Sequence, residues 1–191
     1  MIETLQQIDY YMLDLLNFDG PPFLDTLMYG ISEKVFWVPF YLLLLIWVGT
    51  QYRWQHAGML LVLAVIAVAL SDQTASGFFK PWIQRYRPCR SEADLPFQIY
   101  LVHNKCGGAY GFISSHAANF FAMATVIAGF LNRPKIRAIA YLSAVLVSYS
   151  RIYLGVHFPG DVLGGAIIGI GWGLVIMSLY QMRDRFRKKK T

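Results

Sequence analysis

Five apolar stretches, near residues 35–50, 57–79, 110–131, 136–156 and 159–180, set the pattern of the chain. A helix needs about 20 such residues to cross a hydrocarbon layer about 30 Å thick. The first stretch is short, and Leu24, Leu27, Met28 and Ile31 can extend it backward. Ahead of it, Leu5, Ile8, Met12, Leu15 and Leu16 recur at helical spacing while Asp9 and Asp14 fall elsewhere, which predicts an amphipathic helix lying in the membrane interface over residues 4–17. Asp19-Gly20-Pro21-Pro22 is a turn that separates it from the first span. The prediction is an all-α integral membrane bundle of five to six transmembrane helices with an N-terminal interfacial amphipathic helix. It forms a single domain over 1–191, without repeats or a soluble second domain.

Composition supports lipid as the solvent. Of the 191 residues 56% are hydrophobic and 15% charged, against about 25% charged in a soluble domain. The net charge of +6 raises nucleic acid as a partner, but the position of the charges argues against it. Six of the seventeen basic residues lie in the tail, 183–191, directly after an apolar stretch, as in a juxtamembrane cytoplasmic anchor. No basic segment opens the chain, so no removable signal peptide is expected.

Charge also predicts orientation. Arg53, Arg133, Lys135, Arg137 and the tail give ten basic residues against one acid, Asp184, whereas residues 1–34 hold six acids and one lysine. By the positive-inside rule the connections 51–56 and 132–137 and the C-terminus face the cytoplasm. The N-terminus and the segment 80–109 then face outward. That external segment is itself basic, with Lys80, Arg85, Arg87, Arg90 and Lys105 against Glu92 and Asp94. Departure from a local rule marks a candidate functional site.

The same end of the predicted bundle collects chemistry-bearing residues. Lys80 and Arg87 follow the second span, Ser114, Ser115 and His116 stand at the outer end of the third, Ser150 and Arg151 close the fourth, and His157 and Asp161 open the fifth. Ionisable groups at membrane depth are costly and tend to be functional. The types suit phosphoryl transfer. Lys80, Arg87 and Arg151 can neutralise phosphate oxygens and the charge that spreads over them in the transition state. A helix beginning near Ser114 adds backbone N–H groups and hydroxyls. Two histidines can divide the work of nucleophile and general acid, and Asp161 can accept a hydrogen bond from one ring nitrogen of His157.

These three segments resemble the signature of the type 2 phosphatidic acid phosphatase family: Lys-x6-Arg-Pro, Pro-Ser-Gly-His and Ser-Arg-x5-His-x3-Asp. The first part is matched at Lys80, Arg87 and Pro88, and the third at Ser150, Arg151, His157 and Asp161. The second is altered to Ile113-Ser114-Ser115-His116. The resemblance implies His157 as nucleophile, His116 as acid toward the leaving group and Asp161 as the group that orients the nucleophile. It implies phosphate binding by Lys80, Arg87, Ser114, Ser115 and Arg151, a phosphohistidine intermediate, and no metal or other cofactor. The substrate it implies is a lipid phosphate or diphosphate; undecaprenyl diphosphate, phosphatidylglycerophosphate, phosphatidic acid and lipid A phosphates all fit. The expected setting is the cell (inner) membrane, crossed several times, with the site on the periplasmic or external side and membrane lipids as the surroundings.

Other features have plainer readings. His56 and His103 are read as polar residues at a membrane boundary, Ser71 and Asp72 as bonded to a neighbouring helix, and Gly164, Gly165, Gly169, Gly171 and Gly173 as close helix packing. Phe36, Trp37, Trp54, Trp82 and Tyr180 fit interfacial aromatic belts. Cys89 and Cys106, the only cysteines, share the external segment, which favours a disulfide; two free thiols are the alternative. The rival function is a small membrane anion transporter or channel, which calls for polar residues through the middle of several spans. A vanadate-holding, haloperoxidase-like use of the same pocket is a further alternative.

Overall fold

The computed structural model describes residues 2–188, so the end of the predicted basic tail, 183–191, lies outside the described residues. Among these residues eight α-helices follow in order: α1 (Ile2–Leu16), α2 (Pro22–Ser32), α3 (Lys34–Gln51), α4 (Trp54–Asp72), α5 (Lys80–Ile83), α6 (Ser115–Leu131), α7 (Pro134–Tyr153) and α8 (Pro159–Lys188). A π-helical stretch, Gln73–Phe79, joins α4 to α5, so one helical rod runs from Trp54 to Ile83. Among the described residues there is no strand, only an isolated bridge between Tyr86 and Tyr110.

Among the described residues three helices are long and apolar enough to cross a membrane: Lys34–Gln51, Trp54–Ile83 and Pro159–Arg185. α6 is shorter at 17 residues, and α7 carries Lys135, Arg137 and Arg151 near its ends. The surface suits a lipid solvent. Leu42, Leu43 and Ile46 on α3, Leu61, Val62, Val65 and Ile66 on α4, and Leu163, Ile167, Leu174 and Leu179 on α8 are all exposed. Apolar side chains of neighbouring helices displayed over such an area are a membrane-facing surface.

Local chemistry sets the helix ends. Pro22, Pro134 and Pro159 each open a helix, where the missing N–H costs nothing. The first span does not extend backward in a straight line: Glu33 is extended, ending α2 and starting α3 in a new direction, and the Trp37 indole donates to the Ile31 carbonyl across that corner. The third begins at Ser115 rather than 110, because residues 110–114 pair instead with other segments, Gly111 N–H with the Arg85 carbonyl and Ser114 N–H with that of Asp161.

α6 runs through the middle, against α4, α7 and α8. Its closest neighbour is α8, where a Cβ on Gly165 would meet the Ser114 carbonyl, one on Gly169 the Ala118 carbonyl, and one on Gly173 the Thr125 side chain. Small residues at this spacing let two backbones touch. Gly164 faces Ile113, and Gly171 meets nothing. Several polar groups within the bundle pair across it: Asn119 donates to Asp72 at 2.9 Å, the Trp172 indole to Thr74 at 2.9 Å, and Thr125 bonds Tyr141 at 3.0 Å, whereas the Ser71 hydroxyl, expected to bond a neighbouring helix, is buried without a protein partner.

α1 turns Leu13 inward and leaves Leu5, Ile8, Met12 and Leu15 exposed, and Asn17, just after it, is buried. Asn17 donates to the carbonyls of Tyr100 (2.9 Å) and Tyr153 (2.7 Å) and accepts from Tyr100 N–H (2.8 Å), which ties the segment after α5 to the end of α7. Asp25 on α2 adds bonds from the Tyr100 and Tyr153 hydroxyls. Within that segment Cys89 and Cys106 form a disulfide, Cα to Cα 5.7 Å. Closing a loop of this size constrains the unfolded chain by roughly 3 kcal/mol. We expect neither cysteine to react with a thiol reagent in unreduced protein and reduction to lower the melting temperature; quantitative labelling of both would contradict the bond.

Candidate active site

The connectivity α4–α5, α6, α7, α8 runs up, down, up and down. The end of the α4–α5 rod, the start of α6, the end of α7 and the start of α8 therefore meet at one end of the bundle. The residues singled out in the sequence gather there. Lys80 donates to the Ser115 hydroxyl at 2.8 Å, and Ser115 also bonds Ser76 at 2.8 Å. Ser114 N–H is fixed by the Asp161 carbonyl at 2.9 Å. His157 lies in the connection between α7 and α8, with its Nδ1 3.3 Å from Asp161 Oδ2. Lys80, Arg87 and Arg151 all lie within electrostatic range of His157, and Arg151 and His157 within range of His116.

Asp161 owes its orientation to the first turn of α8. Its Oδ2 accepts the Phe158 N–H at 3.1 Å, as an N-terminal carboxylate does for free backbone donors. The same oxygen faces His157, so the imidazole is held with Nδ1 toward the carboxylate. Both side chains are essentially buried, at 1% and 0% exposure. Burial, and then the Arg87, Arg151 and Lys80 charges, hold His157 well below the usual imidazole range. At neutral pH the ring is a neutral base, the form a nucleophile requires.

The cations differ in how they are held. Arg87 is buried and anchored by bonds to the Tyr110 and Cys106 carbonyls, at 3.2 and 3.3 Å. Burial pulls its guanidinium below the usual value, while the Asp161 charge opposes that; arginine remains a cation at neutral pH. Arg151 donates to Ser32 on α2. Its Nε and the Ser114 hydroxyl are buried without a protein hydrogen-bond partner, free donors in a region otherwise well paired.

Four residues of this region were not singled out from the sequence. Arg85 donates to Asp161 Oδ1 at 3.0 Å and to Asp9 Oδ2 at 2.6 Å. Asp9, read only as off the apolar face of α1, also accepts the Gly160 N–H at 2.7 Å. Gly111 packs where a Cβ would fall 2.8 Å from Asp161 Oδ2, and Ser76 supports Ser115. Arg85 stands two residues before Arg87 and carried a weak signal; Gly111 and Ser76 carried none.

Known proteins give an independent view. The family model of the PAP2 superfamily matches residues 57–185. A protein named lipid A 4'-phosphatase from Bacteroides thetaiotaomicron is 36% identical over 173 residues, covering 91% of this chain and 76% of that protein. Another of that name from Porphyromonas gingivalis is 30% identical over 179 residues, covering 94% and 75%. The crystal structure of a transmembrane PAP2-type phosphatidylglycerolphosphate phosphatase from Bacillus subtilis aligns with a TM-score of 0.63 at 23% identity, over 94% of this chain and 87% of that one, which shows a shared fold. The match takes in the stretch that holds Lys80, Arg87, His116, Arg151, His157 and Asp161, and on it the chain belongs to the PAP2 superfamily.

Proposed function

We propose that this chain removes a phosphate group from a lipid of the lipid A class, at the outer face of the cell membrane, through a phosphohistidine intermediate and without a metal. The observation that carries the chemistry is the buried His157–Asp161 pair ringed by Lys80, Arg87 and Arg151. The coarser statement, a membrane-embedded lipid phosphatase, rests on the superfamily and on relatives named for lipid phosphates. The lipid A class is favoured because the two curated relatives described above bear that name.

In this reading Lys80, Arg87 and Arg151 take the phosphate oxygens, with the Ser114 and Ser115 region supplying further donors. Nε2 of His157 attacks phosphorus, and the bond from phosphorus to the lipid oxygen breaks. His116 gives that oxygen a proton. A water then attacks the phosphohistidine, His116 takes its proton, and phosphate leaves with His157 neutral again. Asp161 holds Nδ1–H throughout and offsets the charge on the phosphorylated ring. A transporter would need polar residues through the middle of several spans, whereas such residues are few here and Asn119, Trp172 and Thr125 bond to neighbouring helices.

Purified protein in a chelator should release phosphate from lipid A bisphosphate faster than from phosphatidylglycerophosphate, phosphatidic acid or undecaprenyl diphosphate, and vanadate should inhibit. Preference for another of these lipids would overturn the lipid A assignment. Activity lost in chelator and restored by one divalent ion would overturn the metal-free mechanism. The orientation has its own check. Arg53, Arg133, Lys135 and Arg137 lie at the bundle end opposite the site by the connectivity above, so a C-terminal reporter should be cytoplasmic and one within 91–105 external. The reverse result would move the site to the inner face.

A further inference from the structure

We propose that Asp9 and Arg85 form a positioning pair for Asp161, which makes the N-terminal helix α1 a working part of the catalytic end; this rests on the phosphatase reading above. Asp161 is fully buried, and a buried carboxylate stays charged only when paired and hydrogen-bonded. Its two oxygens have separate duties. Oδ2 faces His157 Nδ1 and the Phe158 N–H, while Oδ1 takes Arg85 Nη1. Arg85 is therefore the cation that balances Asp161 from the side away from the histidine.

A cation so placed has a competitor. A phosphate dianion bound by Lys80, Arg87 and Arg151 would attract Arg85 as well, and a guanidinium that swung toward it would leave Asp161 unbalanced. Asp9 opposes that movement. It holds Arg85 Nη2 at 2.6 Å, and its other oxygen is fixed by the Gly160 N–H at 2.7 Å. The Arg85 guanidinium also lies over the Phe158 ring, 3.8 Å from the centroid, and Tyr10 stacks on that ring at 5.5 Å. Asp9 and Tyr10 both come from α1, whose Leu13 packs against Ile152 and Phe158. Arginine is needed because its planar fork can reach two carboxylates at once and still stack on a ring, which an ammonium cannot. The four cations thus divide, three for phosphate and one for the carboxylate that serves the nucleophile.

The test compares Arg85→Gln, Arg85→Lys, Asp9→Asn and the double variant Asp9→Asn/Arg85→Gln with wild type and His157→Ala, all as full-length protein in detergent. Melting is followed on the same preparations so that rates refer to folded protein, and Arg85→Lys preserves the charge should Arg85→Gln fold poorly. We expect kcat to fall roughly tenfold or more in Arg85→Gln and roughly threefold to tenfold in Asp9→Asn, with KM and vanadate inhibition within about twofold of wild type. Arg85→Lys should recover only part of the rate. Because Asp9 acts through Arg85, the double variant should be no slower than Arg85→Gln within about twofold. Raised KM and weakened vanadate inhibition at unchanged kcat would make Arg85 a phosphate ligand and overturn the proposal. So would multiplying effects in the double variant, or wild-type kcat in all four while His157→Ala is inactive. An active His157→Ala protein would instead overturn the phosphatase mechanism itself.

Discussion

Replacing His157 by alanine should reduce turnover by roughly ten-thousandfold or more, the scale seen when a nucleophile or its base is removed from a catalytic unit. The expected loss is confined to chemistry. Lys80, Arg87 and Arg151 are anchored by their own partners or by the helix ends that carry them, so vanadate should still bind the variant. On the proposed mechanism, what should disappear is the atom that bonds to phosphorus. Rapid quenching under non-acidic conditions with radiolabelled substrate should give labelled wild-type protein and an unlabelled variant. The low pKa of the His157 ring adds a sign to the pH dependence. Its neutral form persists on acidification, so the acidic limb of kcat/KM that reports the nucleophile should lie below the ordinary imidazole midpoint of about 6.5. Label retained on the alanine variant would place the intermediate on another residue.

Replacing His116 by alanine should have an effect that depends on the leaving group. A lipid alkoxide departs only with a proton, so its release should slow by roughly a hundredfold to ten-thousandfold. A nitrophenolate departs without one, and formation of the phosphoenzyme from such an ester should slow only a few-fold. The second step still needs a base to take the proton of water. On an activated ester the variant should therefore accumulate phosphohistidine, seen as a burst of nitrophenolate followed by slow turnover. Equal slowing on both substrates, without a burst, would show that His116 positions the site instead of moving protons.

The bundle was legible because lipid leaves its mark on every exposed residue: the five apolar stretches coincide with helices to within a few residues at most ends. The ends that moved did so for reasons that hydropathy does not carry. Glu33 takes an extended conformation between two apolar runs, and residues 110–114 are apolar enough to continue a helix yet are claimed by bonds to Arg85 and Asp161. The residues of the signature were legible by spacing, since Lys80, Arg87, Arg151, His157 and Asp161 sit at fixed intervals near helix ends. Asp9 and Arg85 were not, because their meaning lies in a contact across 76 residues of chain. On α1 the apolar positions Leu5, Ile8, Met12 and Leu15 are exposed, while Asp9, off that face, turns toward Arg85 and Gly160. A single amphipathic helix can thus read as a membrane-surface element and still contribute its other side to chemistry.

The glycine seam between α6 and α8 determines which parts of the molecule can adapt. Gly165, Gly169 and Gly173 bring the two backbones into contact, and these two helices carry His116 and Asp161 at their adjacent starts. Neither can slide or tilt past the other without a collision at these three positions, so the separation of His116 from Asp161, and from the His157 that Asp161 faces, works as a fixed gauge. Accommodating lipids of different girth therefore falls to the periphery: the α2–α3 corner beside Arg151 and the disulfide-tied segment above the site. Specificity in this architecture can drift at its rim while the reaction geometry stays constant, because the gauge is written in missing side chains well inside the bundle.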